Sequence, residues 1–338
     1  MRIAVDAMGG DNAPGEIIAG VLEAKDALND DEDELVLIGD EAIIRSQLQS
    51  KGVSPDTFRI FHAPEIISMD EPPVEAIRRK PKSSIAVMAR SASHRQVEAV
   101  LSAGNTGACV AACQLRMRTL EGVMRPGIAV VFPTFYGPVT ICDVGANIAC
   151  KPINLYQYAV MSSIYAQEML GISNPRIGLM NIGEEDAKGN ELVKKTREFL
   201  KSDPKLNFIG NLEGRDIFEG KCDVVICEGF LGNVVLKLTE GLVDMIFAAL
   251  ASEVKGRNKL MALWFKSVAK EIFKKYDYHE YGGALLLGVN GVSVICHGSS
   301  KSRTIKNAIL VCKKFAAKGI NEKIVEHLTQ AAVISNGQ

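Results

Sequence analysis

Small and polar residues cluster in short loops of this 338-residue chain: Asp6, Gly9, Gly10, Asp11 and Asn12 in one, Ser102, Gly104, Asn105, Thr106 and Gly107 in another. Each cluster follows an apolar run and precedes a segment of helical length. Glycine there lets backbone N–H groups approach a ligand, and Ser, Asn and Thr add donors where a helix begins. The chemistry this suits is the holding of an oxyanion, and phosphate fits. An ordinary turn with a helix N-cap uses the same residue types and is the alternative for each, and the Ser102 to Gly107 cluster is the better anion candidate of the two. The first cluster lacks the G-x-G-x-x-G spacing, which weakens any case for a dinucleotide.

Further loops carry similar groups. Asp143 and Asn147 repeat the arrangement after a later apolar run. Glu184, Glu185 and Lys188 share a charged loop, in which Lys188 either neutralises an oxyanion or faces water. Asn233 and Lys237 follow Glu228 and Gly229, and Gly282 and Gly283 precede a last apolar run that ends at His297, Gly298, Ser299 and Ser300. His297 has the strongest site context of the histidines, with a structural hydrogen bond as its alternative role. There is no G-x-S-x-G elbow, H-E-x-x-H, phosphate-binding Walker loop or C-x-x-C pair. Cys109 and Cys113 lie four apart without a second ligand pair, so they read as packing residues; neither a metal nor a cofactor is expected.

These loops need elements to hold them. Short apolar runs at 3–5, 35–38, 59–61, 99–101, 128–132, 139–142, 177–180, 208–210, 224–227 and 292–296 read as strands. Helices are predicted after Pro14, Asp40, Pro73, Ser83, Asn105, Pro152, Gly189, Leu231, Lys259 and Lys301. The alternation is that of parallel strands joined by crossover helices, in one domain over 1–338. The polar loops then fall at strand carboxyl ends, the binding edge of an open sheet, and the expectation is that they converge on one edge. Residues 231–276 read as two long helical segments projecting from the sheet. In the second, Met261, Trp264, Phe265, Val268 and Ile272 share one face, and Lys259, Lys266, Lys270 and Lys274 share the other. That face suits a dimer or core contact, or alternatively an anionic lipid surface.

With 47% hydrophobic and 23% charged residues the chain can bury a large core, and 39 basic against 40 acidic side chains leave a net charge of -1. No global field draws it to nucleic acid. Its eight cysteines sit mostly in apolar runs, as free thiols in a reducing compartment do. The first residues lack the regions of a secretory signal, and no run reaches the roughly 20 apolar residues of a membrane span. A cytoplasmic location is expected.

Taken in order, 5–14, 102–108, 143–147, 181–190, 210–214, 229–241, 280–288 and 297–300 resemble the phosphate acyltransferases of bacterial phospholipid synthesis, the PlsX family. The resemblance implies an α/β/α sandwich related to isocitrate and isopropylmalate dehydrogenases, with a large, mostly parallel sheet. It implies reversible transfer of a long-chain acyl group from acyl carrier protein to inorganic phosphate, a homodimer, and peripheral membrane contact that extends to the downstream membrane acyltransferase. Glu228 stands where that family usually has Asp, and Ile295 where Lys often precedes the histidine. On this reading the loop of Ser102 to Gly107 holds phosphate with Asn147 and Lys188, and His297 donates a hydrogen bond to phosphate or to the oxyanion. Arg78, Arg79 and Lys80, or the lysines of 259–275, would receive the acidic carrier. The competing functions are a dehydrogenase of the related fold and a non-catalytic scaffold for lipid enzymes.

Overall fold

Near-continuous runs of Val, Ile, Leu and Ala form inner strands that are buried almost throughout, as a sheet covered on both faces requires, while the two edge strands are partly exposed. The computed structural model describes residues 1–28, 32–255, 268, 272 and 281–336. These strands are β1 (Arg2–Asp6), β2 (Glu34–Gly39), β3 (Arg59–His62), β4 (Ala99–Ser102), β5 (Gly127–Thr134), β6 (Gly137–Cys142), β7 (Ile177–Met180), β8 (Phe208–Leu212), β9 (Val224–Ile226), β10 (Ala284–Leu287) and β11 (Val292–Ile295). The described residues build one eleven-stranded sheet in the order β3-β2-β1-β4-β11-β10-β5-β6-β9-β7-β8.

Ten helices cover it: α1 (Gly15–Leu28), α2 (Glu41–Ser50), α3 (Pro73–Arg79), α4 (Ser84–Ser93), α5 (Thr106–Arg116), α6 (Pro152–Leu170), α7 (Glu191–Ser202), α8 (Gly229–Lys255), α9 (Ser302–Ala317) and α10 (Ile320–Asn336), counted among the described residues. Two separate apolar clusters show which face each one covers. Ile17, Ile44, Tyr158, Leu200, Ile305 and Ile324 place α1, α2, α6, α7, α9 and α10 on one side. Ile77, Ile85, Cys109 and Leu236 place α3, α4, α5 and the start of α8 on the other. The result is the three-layer α/β/α sandwich expected.

The expectation of a single loop edge needs correction. β1, β2, β3, β4 and β11 run parallel, but β10 is antiparallel to both β11 and β5, and β5 is antiparallel to β6. From β6 outward, β9, β7 and β8 all follow the direction of β6. Loops after β1, β4 and β11 therefore leave at one edge, and loops after β6, β7, β8 and β9 at the opposite edge. The net reversal falls at the Phe135–Tyr136 turn between β5 and β6, because the two antiparallel pairings of β10 cancel and leave β5 in the direction of β11; a second turn, residues 288–291, joins β10 to β11. The second contains Asn290-Gly291, with Gly291 at φ 128°, a strong hairpin signal. Strand β10 and helix α10 are absent from the sequence-based assignment. Most of the predicted amphipathic segment 259–276 lies outside the described residues, apart from Val268 and Ile272.

Candidate active site

At the first edge three loops interlock. Asp6, at the end of β1, is fully buried and accepts the Ser102 hydroxyl at 2.7 Å and the Met8 N–H at 3.1 Å. Burial pushes the Asp6 carboxyl up from its ordinary value, against the hydroxyls of Ser102 and Ser84 and the N–H groups of Met8 and Gly9. Ser102 in turn accepts the Gly104 N–H at 3.0 Å. Gly9 lies so close that a Cβ there would stand 2.7 Å from Gly104 N. The loop after β11 joins through Asp11 N–H to Gly298 O at 2.8 Å and Asn12 Nδ2 to Ser299 O at 3.1 Å. Asp6, Gly9, Gly10, Asp11, Asn12, the 102–107 loop and His297 are thus brought together.

The side chains at this edge divide into the committed and the free. Asn105 caps α5, its Oδ1 accepting the Ala108 N–H at 3.0 Å. Its amide donates to the carbonyls of Ser68, Met69 and Glu71, each at 3.1 Å. Asn105 therefore ties the 68–71 segment over the loop, a contact with no signature in the sequence. Thr106 is exposed, and its N–H and that of Gly107 belong to the first turn of α5, where no carbonyl within the helix can accept them. His297 is exposed. Its Nδ1 lies 2.7 Å from Ser299 Oγ and receives the Ser299 N–H at 3.3 Å. An Nδ1 that accepts places the proton of the neutral ring on Nε2, which is then the outward donor. Ser300 beside it is buried, and its hydroxyl has no partner among the described residues.

At the second edge Asp143 organises a tight loop. Its Oδ1 accepts N–H groups of Ile128, Gly145 and Ala146, and its Oδ2 that of Asn147 at 2.8 Å. Burial pushes this carboxyl up while those four donors pull it down. Asn147 is also buried, and its amide donates to Pro126 O at 2.7 Å and the Tyr158 hydroxyl at 2.8 Å. The start of α8 rests on this loop through Gly229 N–H to Asn147 O at 2.8 Å. A Cβ on Gly232 would stand 1.9 Å from Asp143 O, so only glycine permits the approach. Glu228 caps the same helix, accepting the N–H groups of Phe230 and Leu231, which gives the acid at this position a structural purpose. Glu184 pairs with Lys221 at 2.8 Å. Glu185 and Lys188 are exposed on the loop after β7, on this edge and not beside His297.

Helix α8 connects the two edges. It starts on the 143–147 loop, and its second and third turns roof a cavity of about 120 Å³ whose lining includes His297 and Thr106. Ile128, Val130, Val144, Ala284 and Ile295 form the apolar wall, with Leu236 facing them from α8. Asn233, Lys237, Glu240 and Thr304 complete the polar part, and Lys237 pairs with Glu240 at 2.8 Å. The cavity thus unites Thr106, His297, Asn233 and Lys237 from the sequence-derived set. It adds Thr304, Glu240 and the apolar wall, which sequence reasoning missed; the signal present was the alternation of Ile128 and Val130 on one face of β5. Ile295, the departure from the family pattern, belongs to that wall. Cys109 and Cys113 are buried in α5, and burial pushes the Cys113 thiol up to about 11. Among the described residues no group of three His, Cys, Asp or Glu is placed to hold a metal.

The architecture is an α/β/α fold already known in phosphotransacetylases. A phosphotransacetylase from Streptococcus pyogenes superposes with a TM-score of 0.65 over 94% of each chain, at 15% identity. A structure described as a 4-hydroxythreonine-4-phosphate dehydrogenase from Salmonella typhimurium gives 0.52, covering 93% of this chain and 99% of that one, at 16% identity. At such identities the likeness establishes the fold, shared between acyl-transferring and dehydrogenase relatives. Sequence identifies the family. Residues 1–323 match the family described as fatty acid synthesis protein. A phosphate acyltransferase of Desulfitobacterium hafniense (strain DSM 10664 / DCB-2) is 49% identical over 331 residues, 97% of this chain and 98% of that protein. The chain belongs to this family and is an enzyme of the acyltransferase class.

Proposed function

We propose that this enzyme reversibly transfers a long-chain fatty acyl group from acyl-[acyl carrier protein] to inorganic phosphate, forming an acyl phosphate for phospholipid synthesis in the cytoplasm. The observation that carries the reading is the cavity in which anion-binding groups, His297 and the start of α5, adjoin an apolar wall. Membership of a family whose relatives are named phosphate acyltransferase supports both halves of the reaction.

Phosphate is ionised at neutral pH and a thiolate leaves readily, so placement and charge stabilisation suffice without an enzyme nucleophile. Phosphate sits against the free N–H groups of Thr106 and Gly107, at the positive end of α5. The buried hydroxyl of Ser300 is a further donor without a partner. One phosphate oxygen attacks the thioester carbon and forms the new C–O bond, and the former carbonyl oxygen takes the charge. His297 donates from Nε2 to that oxygen or to phosphate. The C–S bond then breaks, its electron pair leaves with the carrier thiolate, and the thiolate takes a proton from solvent. Asp143 and Asn147 are positioning residues, acting through the seat they give α8. Lys188, with Glu184 and Glu185 at the opposite edge, has no part in this assignment.

The carrier is acidic, and α3 adjoins the phosphate loop through the 68–71 segment. Arg79 is paired with Glu75 and Lys80 with Glu71, which leaves exposed Arg78 as the cation most available to a carrier. Beyond the cavity α8 exposes Leu238, Leu242, Met245 and Ile246, a surface that suits a second copy of the chain in a homodimer. Contact with the membrane and its acyltransferase is peripheral on this reading, and no helix among the described residues is long and apolar enough to cross a membrane.

The test incubates the purified protein with palmitoyl carrier protein, with and without phosphate, and traps acyl phosphate as its hydroxamate. Phosphate-dependent hydroxamate is expected. Thiol release that ignores phosphate, or no release at all, sinks the reading.

A further inference from the structure

Acyl transfer to phosphate requires a place for hydrocarbon as well as for anion, and the cavity under α8 has the dimensions of a partial one. Its wall consists of strand residues, Ile128 and Val130 of β5, Ala284 of β10 and Ile295 of β11, opposite Leu236 of α8. Strand side chains packed in a sheet give a fixed surface rather than an adaptable one. The charges in the lining, Lys237 and Glu240, neutralise one another at 2.8 Å, and Lys237 is about half exposed, which puts the pair at the solvent side. His297 and Thr106 line the same space, so the reacting carbonyl belongs at their end of it.

We infer that this cavity seats the first few carbons of the acyl chain, those next to the thioester, and that the rest of a long chain leaves past Lys237. Volume decides how many. An apolar cavity of about 150 Å³ accepts a benzene ring, so one of about 120 Å³ takes about five carbons. The described residues alone do not enclose a sixteen-carbon chain. Burial of each methylene strengthens binding about fourfold. Selectivity should therefore climb steeply from acetyl to about hexanoyl and then flatten, whereas a full-length tunnel would keep it climbing. Ala284, on the wall, and Leu236, on the roof, are the specificity-determining positions, and neither touches the reacting atoms.

The inference rests on the acyl-transfer reading, and the experiment separates the two. Phosphate-dependent thiol release is measured for acetyl, butyryl, hexanoyl and palmitoyl carrier protein with the parent enzyme, Ala284→Leu and Leu236→Trp, each checked by thermal melting. The parent should gain about a hundredfold or more in kcat/KM from acetyl to hexanoyl and less than about tenfold from there to palmitoyl. Ala284→Leu should lower the hexanoyl-to-acetyl and palmitoyl-to-acetyl ratios of kcat/KM by at least about twentyfold. Leu236→Trp fills the same space from the half-buried helix side and should give the same cut-off even if Ala284→Leu folds poorly. Equal losses at all chain lengths, unchanged chain preference in both variants, or a steady climb to palmitoyl in the parent would overturn the seat. A parent enzyme inactive on every chain would overturn the acyl-transfer reading itself.

Discussion

Replacing Gly9 with alanine tests whether loop-on-loop packing sets the phosphate site. A Cβ on Gly9 would stand 2.5 Å from Asp6 Oδ2, 2.7 Å from Gly104 N and 3.0 Å from Gly104 Cα. Neither neighbour can swing aside, because Asp6 is fully buried in its hydrogen bond to Ser102 and Gly104 offers only backbone. Contacts become ordinary at 3.4 Å, so Gly104 must retreat by about 0.7 Å, carrying with it the first turn of α5. Overpacking of this kind costs about 1–3 kcal/mol. A misplacement near 1 Å in a reacting site costs about a hundredfold in rate. Gly9→Ala should therefore stay folded, melt several degrees lower, and lose about thirty- to a hundredfold in phosphate-dependent thiol release. Gly15→Ala is the control: its Cβ meets nothing within 4 Å, so activity should be unchanged and the melting point equal or slightly higher. If Gly9→Ala turns over within about threefold of the parent, the packing of β1 and β4 loops does not set the site.

Other expectations follow from single side chains. His297→Ala should lower kcat by about 10²- to 10³-fold at an unchanged melting point, since the ring is exposed and its loss removes one oxyanion donor; near-full turnover would refute its role. Asp203 ties α7 to α6 and α10: burial raises its pKa, but hydrogen bonds from His327 and Tyr156 override that and lower it from 3.8 to about 2. A lowered carboxylate contributes stability fully above the unfolded value and loses it as pH falls from about 4 through about 2. Asp203→Asn should thus cost about 1–2 kcal/mol in denaturant unfolding at pH 7, with the gap closing over that window; a gap independent of pH would contradict it. Reversing Arg78 and Arg79 to Glu should raise KM for the carrier substrate and spare kcat, and an unchanged KM would move carrier docking elsewhere.

The layers and most strands were legible because burial on both faces leaves an unambiguous apolar run. Strand β10 escaped because Ala284–Leu287 follows two glycines that read as a loop, and because the hairpin signal Asn290-Gly291 lies behind it. The reversal of strand direction lies elsewhere, at the β5–β6 hairpin. Both of its strands are legible but their antiparallel pairing is not, and the single binding edge was the result. Strand β10, antiparallel to both its neighbours, leaves β5 and β11 parallel. Edge assignment depends on the direction of every strand between two loops, so one hairpin read without its direction moves the Lys188 loop from the edge of His297 to the opposite edge of the sheet. A periodic pattern records burial and not direction, which is why the elements could be right and their convergence wrong.

Chemical type misled for a related reason. Ser102, Asn105, Asp143 and Asn147 have the oxygens and amides that a ligand would want, yet each directs them inward, to Asp6, to the 68–71 carbonyls, to four backbone N–H groups and to Pro126 with Tyr158. Residues that bind backbone well serve caps and tight loops before they serve substrate, and sequence cannot show which partner wins. What stays available is whatever the loops themselves leave unpaired: first-turn N–H groups of α5, the Nε2 of His297, the hydroxyl of Ser300. The glycines and asparagines of these loops therefore matter to the chemistry through the backbone they shape, and substitutions among them should shift rate and stability together, whereas substitution of His297 should shift rate alone.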